Sequence, residues 1–425
     1  MKTGTRGLLC VACVSIVSVA LAAEQDIAPP APVRVELHSK VLNEDRVVWV
    51  RTPRDYAEGK GVYPVLYLTD GDGHINEIGS TIDFLAANDR APEMIVVGIA
   101  NTDRTRDLTP THLDQVEGVS IPLKTSGGAD AFLKFIESEV MPEVEKKYRT
   151  APFRVLAGHS FGGLFAVHAL FTRPDAFNAY VAVSPSLWWD ERSEIRRAEE
   201  FLGKRKSPLK VTLFFSAAAE GPKMRAGYEK LRQVLMTADP PQDFEWDSIL
   251  LEDEDHGSTV LRAHYAALRK VFAEYPVPYD PTTHLAIGGM AGIEDHFREL
   301  SRRYGYTIPV PERLIDRLGY GYLFSTPPRT AEAIAVFERY VTLYPDTPNA
   351  YDSLADAHEK AGQLESARKD FEKAVALAKE KTDPEVKAYQ KHLADFVARR
   401  PAAPAEKHQG ADVPPASSGP GHARP

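Results

Sequence analysis

Residues 153–157 read as a short buried strand and residues 164–171 as an apolar helix, with only Gly158-His159-Ser160-Phe161-Gly162-Gly163 between them. A strand that gives way to a helix within six residues must reverse at one sharp point, and that leaves few folds open to the chain. A side chain at 158 or 162 would collide with the adjoining strand and helix, so glycine is required at both. The residue at the turn, Ser160, projects its hydroxyl out of the sheet. Gly-x-Ser-x-Gly alone is a weak signal, since 28 glycines in 425 residues can produce it by chance. Its placement between a buried strand and a helix gives it meaning.

The surrounding sequence agrees. Strand-like runs occur at 46–51, 62–69, 94–100, 153–157, 179–183, 211–216 and 246–251, several of them apolar throughout, as strands covered on both faces are. Amphipathic stretches lie between them; Phe132, Phe135, Ile136, Val140, Val144 and Tyr148 recur at helical spacing. The alternation predicts an α/β class domain over 24–280, a mostly parallel sheet with helices on both faces, and with the turn at Ser160 this is the α/β-hydrolase fold.

Beyond Pro276 the strand signals stop, and Pro276, Pro278 and Pro281 mark a linker. Residues 281–400 read as helices only. Ala333 and Phe337 recur 34 residues later as Ala367 and Phe371, and Gly321 maps onto Ala355 at the same offset. That is the period of a tetratricopeptide repeat, in which small residues let two helices approach and a phenylalanine fills the groove. A small all-α repeat module is expected, with 293–304 and 312–318 as further helices. Residues 401–425 contain almost no large apolar side chain and are expected to be a disordered tail.

At the other end, Lys2 and Arg6 precede an apolar run over 7–23 that finishes in Ala20-Leu21-Ala22, a small-x-small cleavage pattern. Residues 1–23 are therefore expected to be a signal peptide, the mature protein periplasmic or secreted and without a membrane span. Cys10 and Cys13, the only two cysteines, would leave with it. With 51 Lys and Arg against 60 Asp and Glu, the net charge of −9 argues against nucleic acid as a partner.

A serine hydroxyl attacks a carbonyl only when a base removes its proton, and the base needs a group to orient it. In this fold the order is Ser, acid, His. His256 follows the last strand-like run in Glu252-Asp253-Glu254-Asp255-His256-Gly257, and its acidic neighbours are expected to favour the charged imidazole. Glu220, after the run at 211–216, is the expected acid; Asp190, one strand earlier, is the rival, and a main-chain carbonyl would make a dyad of Ser160 and His256. The oxyanion would be held by the N–H of Phe161 and by Gly71 and Asp72 in Asp70-Gly71-Asp72-Gly73-His74. That turn lacks the ligand spacing of a calcium loop, so no metal is expected.

Gly158 to Gly163, Ser184-Pro-Ser-Leu-Trp-Trp189, Asp70-Gly-Asp72 and Asp255-His256-Gly257 together resemble the esterase family of the α/β-hydrolase superfamily that includes enterochelin and bacillibactin esterases and, more distantly, S-formylglutathione hydrolase and mycolyltransferases. The resemblance spans about 33–275. It implies hydrolysis of a carboxylic ester through an acyl-enzyme with no cofactor, carried by Ser160, His256 and Glu220, and it implies that Arg106 and Trp189 lie near the substrate. A siderophore-type or other small acyl ester is the expected substrate, although an acidic chain offers a ferric catecholate no general attraction. The same acyl-enzyme resolved by an alcohol would make an acyltransferase. A third reading is a peptide-binding scaffold acting through the repeats, which are in any case the expected seat of a protein or peptide partner.

Overall fold

The computed structural model describes residues 30–57, 59–116, 123–205 and 207–399. The expected signal peptide and C-terminal tail lie outside them. Eight strands, β1 (Val33–Ser39), β2 (Glu44–Arg51), β3 (Tyr63–Thr69), β4 (Ile95–Ile99), β5 (Thr150–His159), β6 (Ala179–Val183), β7 (Val211–Ala218) and β8 (Phe244–Leu251), form one sheet in the order β1-β2-β4-β3-β5-β6-β7-β8. The pairings of β1 with β2 and of β2 with β4 are antiparallel and the rest parallel. This is the α/β-hydrolase fold. All seven expected strands are present. The eighth, β1, is an edge strand with alternating exposure, and the charges in Val-Arg-Val-Glu-Leu-His-Ser hide it from a search for apolar runs.

The helices of this unit are α1 (Gly71–Ala87), α2 (Arg104–Leu108), α3 (Ala129–Phe135), α4 (Met141–Lys147), α5 (Phe161–Thr172), α6 (Trp189–Lys204), α7 (Pro222–Thr237), α8 (Thr259–Val271) and α9 (Gly289–Tyr304). The stretch expected as one helix from Phe132 to Tyr148 is α3 and α4 joined by a π turn at Ile136–Val140. Pro142, in the first turn of α4, has no N–H to give to the carbonyl four residues back, and the ladder loosens just before it. Helix α5 is buried on every side, from Phe161 to Phe171, because it runs under the centre of the sheet.

The prolines at 276–281 do not separate the two compact units. Residues up to 280 join with 286–309 in the first, and 281–285 with 310 onward in the second. Helix α9, expected in the helical region, thus belongs to the sheet unit. Aromatic burial accounts for this: Tyr304 meets Phe153 of β5 at 4.9 Å and Phe272 at 5.7 Å between ring centroids, and Phe297 meets Tyr275 at 5.8 Å.

The second unit contains α10 (Glu312–Leu323), α11 (Thr330–Leu343), α12 (Pro348–Lys360), α13 (Leu364–Glu380) and α14 (Val386–Arg399). Ala333, Phe337, Ala355, Ala367 and Phe371 are all buried, as the 34-residue period requires. The close approach in the first hairpin falls at Gly319 rather than Gly321: a Cβ at Gly319 would lie 2.4 Å from the Phe337 ring.

Candidate active site

Strand β5 delivers Ser160 to its C-terminal end and α5 begins at the next residue, so the serine carries the whole reversal, at φ 61° and ψ −114°. A backbone in that region costs on the order of 1–3 kcal/mol and persists only where its surroundings enforce it. Here the enforcement is close packing. A Cβ on Gly158 would lie 2.4 Å from the main chain of Gly162, and one on Gly162 would lie 2.1 Å from Thr69 Oγ1. Ser160 is pinned further by main-chain bonds from its N–H to Val183 and from Ser186 N–H to its carbonyl, 3.0 and 3.1 Å.

The parallel order β5-β6-β7-β8 brings the loops after β7 and β8 to the same end of the sheet. His256 Nε2 stands 3.0 Å from Ser160 Oγ, and its Nδ1 stands 2.7 Å from Glu220 Oε1. The imidazole is 44% exposed at the mouth of the site whereas the Glu220 side chain is only 3% exposed. Burial is the largest influence and opposes ionisation of Glu220, but the hydrogen bond with His256, the smaller contributions of Ser184 and the Ala218 main chain, and the charge of His256 together hold its carboxyl below the ordinary carboxylate range. The four acidic residues before His256 are engaged elsewhere. Glu252 pairs with Arg225, Asp253 and Glu254 pair with Arg262, and Asp255 accepts the amides of Gly257 and Ser258, which turns the chain beyond the histidine.

Asp190, the rival acid, opens α6 in a left-handed conformation, φ 43°, and its carbonyl accepts from Arg196. Gly71 and Asp72 occupy the first turn of α1, where amides have no intrahelical acceptor, and Phe161 does the same in α5. Gly71 has a packing duty as well, since a Cβ there would lie 2.2 Å from Gly98 Cα of β4.

Two expected substrate contacts are placed otherwise. Arg106 gives its guanidinium to Glu44 at 2.5 and 2.9 Å and to Asp107 at 2.7 Å, in a network with buried Arg46. Arg104, two residues earlier, takes the position by the nucleophile. It binds Asp70 through two bonds of 2.6 and 3.0 Å, reaches the His159 carbonyl at 3.3 Å and lies over the Phe161 ring. Asn101 also binds Asp70, so this carboxylate is clamped next to the amides of Gly71 and Asp72. Trp189 is fully buried, its Nε1–H donates to Thr111, and its ring supports Phe161 from within at 5.3 Å. Trp188, half-buried and 6.1 Å from the same ring, is the better placed of the pair to meet a ligand. The sequence reading also passed over Ser186, whose Oγ is 3.4 Å from Ser160 Oγ.

Helix α8, which follows the His256 loop, contains His264, fully buried, with Nδ1–H donating to Val260 O at 2.7 Å and Nε2 without a partner. Burial pushes its pKa down to about 4. The unfolded chain takes up this proton near pH 6.5 and the folded one does not, so the contribution to stability is complete above pH 6.5 and is lost as pH falls toward 4. All four tryptophans lie in this unit, so their fluorescence follows its unfolding. Between pH 7.5 and 4.5 the loss should be smaller in His264→Phe than in the parent by about 2–3 kcal/mol. Equal losses in urea titrations of both would show that His264 is not a source of acid sensitivity.

Residues 39–212 match the family described as putative esterase, and residues 348–381 match a tetratricopeptide repeat. The first match includes Ser160 and stops short of Glu220 and His256. The chain is 34% identical over 173 residues to the siderophore triacetylfusarinine C esterase of Aspergillus fumigatus, covering 38% of this chain and 57% of the relative. It is 39% identical over 166 residues to the siderophore enterobactin esterase of Emericella nidulans, covering 34% and 53%. It thus spans just over half the length of these curated relatives. Among solved structures, an IroE-like serine hydrolase from Shewanella oneidensis superposes with a TM-score of 0.60 at 28% identity, covering 73% of this chain and 99% of that one.

Proposed function

We propose that this chain, with a segment that matches an esterase family and a serine, histidine and glutamate in hydrogen-bonded series, is a serine esterase that works through an acyl-enzyme. His256 Nε2 takes the Ser160 proton as Oγ attacks the ester carbonyl, and Glu220 keeps the proton of Nδ1 in place and stabilises the imidazolium. The oxyanion is received by the amide of Phe161 and by those of Gly71 and Asp72. His256 then gives its proton to the departing alkoxide, and a water deprotonated by the same nitrogen hydrolyses the acyl-Ser160. These steps call on no cofactor.

The observation that carries the reading is the unbroken series Ser160 Oγ to His256 Nε2 to Glu220, 3.0 and 2.7 Å, built on a strained serine at a helix N-terminus. The substrate class is a siderophore-type or other small acyl ester, which rests on the two siderophore esterases among the relatives. Residues 1–23 would export the enzyme to the periplasm or medium, and the repeat matched at 348–381 would hold a protein or peptide partner. Among the described residues no helix is long and apolar enough to cross a membrane.

A fluorophosphonate, which phosphonylates an activated serine far faster than an ordinary one, tests the reading directly. A single adduct mapped to Ser160 by peptide mass spectrometry is expected. An adduct on another residue, or none on folded protein, would remove Ser160 from the reaction.

A further inference from the structure

His159, immediately before the nucleophile, has no part in the steps above, yet its side chain is held in an uncommon setting. Its imidazole lies 4.5 Å from that of His256 between centroids, the planes inclined at 43°. Nε2 of His159 is buried and has no hydrogen-bond partner, a state that costs free energy and that an apolar residue in this place would avoid. On another side His74 packs against the ring in a T-shaped contact at 6.2 Å, and His74 is itself fixed through Nδ1 to Glu77 at 2.7 Å. Burial, reinforced by the neighbouring His256 and only partly opposed by a hydrogen bond to the His256 main chain, lowers the His159 pKa to about 4, so the ring is neutral at the pH of ester hydrolysis.

Glu220 and Ser160 occupy the two nitrogens of His256 and so define the line between them, but not the tilt of the ring about that line. The ring sits at the mouth of the site on a loop, 44% exposed, and something must hold a face of it. A neutral aromatic surface does this without competing for either nitrogen. It also favours the imidazolium over the imidazole, because a π face attracts a cation in a partly dry setting.

We propose, on the reading of Ser160 as nucleophile and His256 as base, that His159 is a positioning residue that holds one face of His256 and stabilises the imidazolium formed when His256 accepts the serine proton. The titratable groups around His159 are His74, His256 and His264, with Glu77 bound to His74, and those facing His256 are Glu220, Asp255 and His159 itself. The requirement is for a neutral aromatic ring and not for a counter-charge, which sets His159 apart from Glu220.

The test compares the full chain with His159→Phe, His159→Leu, His159→Gln and Ser160→Ala on a short-chain p-nitrophenyl ester across pH 5–9, with thermal unfolding to establish that each is folded. Phe should keep kcat within about threefold, whereas Leu and Gln should lose about tenfold in kcat with KM little changed. In the latter two the acid limb of kcat/KM should move to lower pH, since the imidazolium has lost a stabilising contact. Should His159→Leu fail to fold, His159→Gln, closer to histidine in size and polarity, decides the matter. Folded Leu or Gln variants with the parent kcat and acid limb would overturn the inference, and so would a Phe variant as impaired as Leu, for then the imidazole itself and not its face is required. A parent protein labelled at Ser160 beside unaffected variants defeats this inference alone; a parent that neither hydrolyses the ester nor takes the fluorophosphonate defeats the esterase reading beneath it.

Discussion

Ser160→Ala is expected to lower kcat for a p-nitrophenyl ester by on the order of 10⁴–10⁶ while leaving the unfolding temperature nearly unchanged. The hydroxyl is the atom within 3.0 Å of His256 Nε2, and without it the imidazole has no proton to take. What remains is water attack assisted by the oxyanion amides and by binding, a rate above the uncatalysed one but far below the parent's. Alanine brings no new clash at φ 61°, because serine already carries a Cβ there. Ser186 offers an internal check. Its Oγ is 3.4 Å from Ser160 Oγ, so any residual rate that depends on a neighbouring hydroxyl must disappear in Ser160→Ala with Ser186→Ala. A folded Ser160→Ala protein that turns over within tenfold of the parent would refute the assignment.

Glu220→Gln should cost on the order of 10²–10⁴ in kcat with a smaller effect on KM. The carboxylate is almost wholly buried, held ionised in spite of burial by its bond to His256 together with Ser184 and the Ala218 main chain, and it accepts the proton of Nδ1. A glutamine of the same shape can turn its amide N–H toward Nδ1. That stabilises the tautomer with the proton on Nε2, the nitrogen that must be free to accept from Ser160. The imidazolium formed during attack also loses its counter-charge. Asp190→Asn, measured on the same ester, should change kcat by no more than about threefold, because Asp190 lies at the start of α6 with its carbonyl turned to Arg196. A large loss at Asp190 with Glu220→Gln near normal would relocate the acid, and two mild effects would leave a dyad.

Arg106, Trp189 and α9 lie in other settings than local sequence suggests, and for one kind of reason. Arg104 and Arg106 lie in the same short helix, and residues two apart on a helix point about 200° away from each other, so only one of them can face the nucleophile. Which one depends on Asp70 on one side and Glu44 on the other, residues from different strands and turns. Trp188 and Trp189, adjacent at the start of α6, also differ in setting, one half-exposed and one sealed beneath Phe161. The prolines before helix α9 suggest that it goes with the later helices, but its allegiance is decided by Phe153 and Phe272, to which no local signal points.

What the sequence by itself determined is local and steric. Gly158 and Gly162 are required by contacts with each other and with Thr69 of the neighbouring strand β3, and the six-residue pattern that satisfies them locates the nucleophile. Likewise the 34-residue period repeats one helical hairpin, and apolar runs of strand length reveal themselves without a partner. Only the tertiary structure decided which distant groups meet. Ser160, Glu220 and His256 are brought into contact across separations of 96 and 36 residues by the parallel order of β5 to β8, in which every strand ends at the same edge. Chain order suggested the partners, but a hydrogen bond forms or fails over a few tenths of an ångström. That precision comes from packing whole elements against one another, as does the ring contact between His159 and His256, and no spacing along the chain contains it.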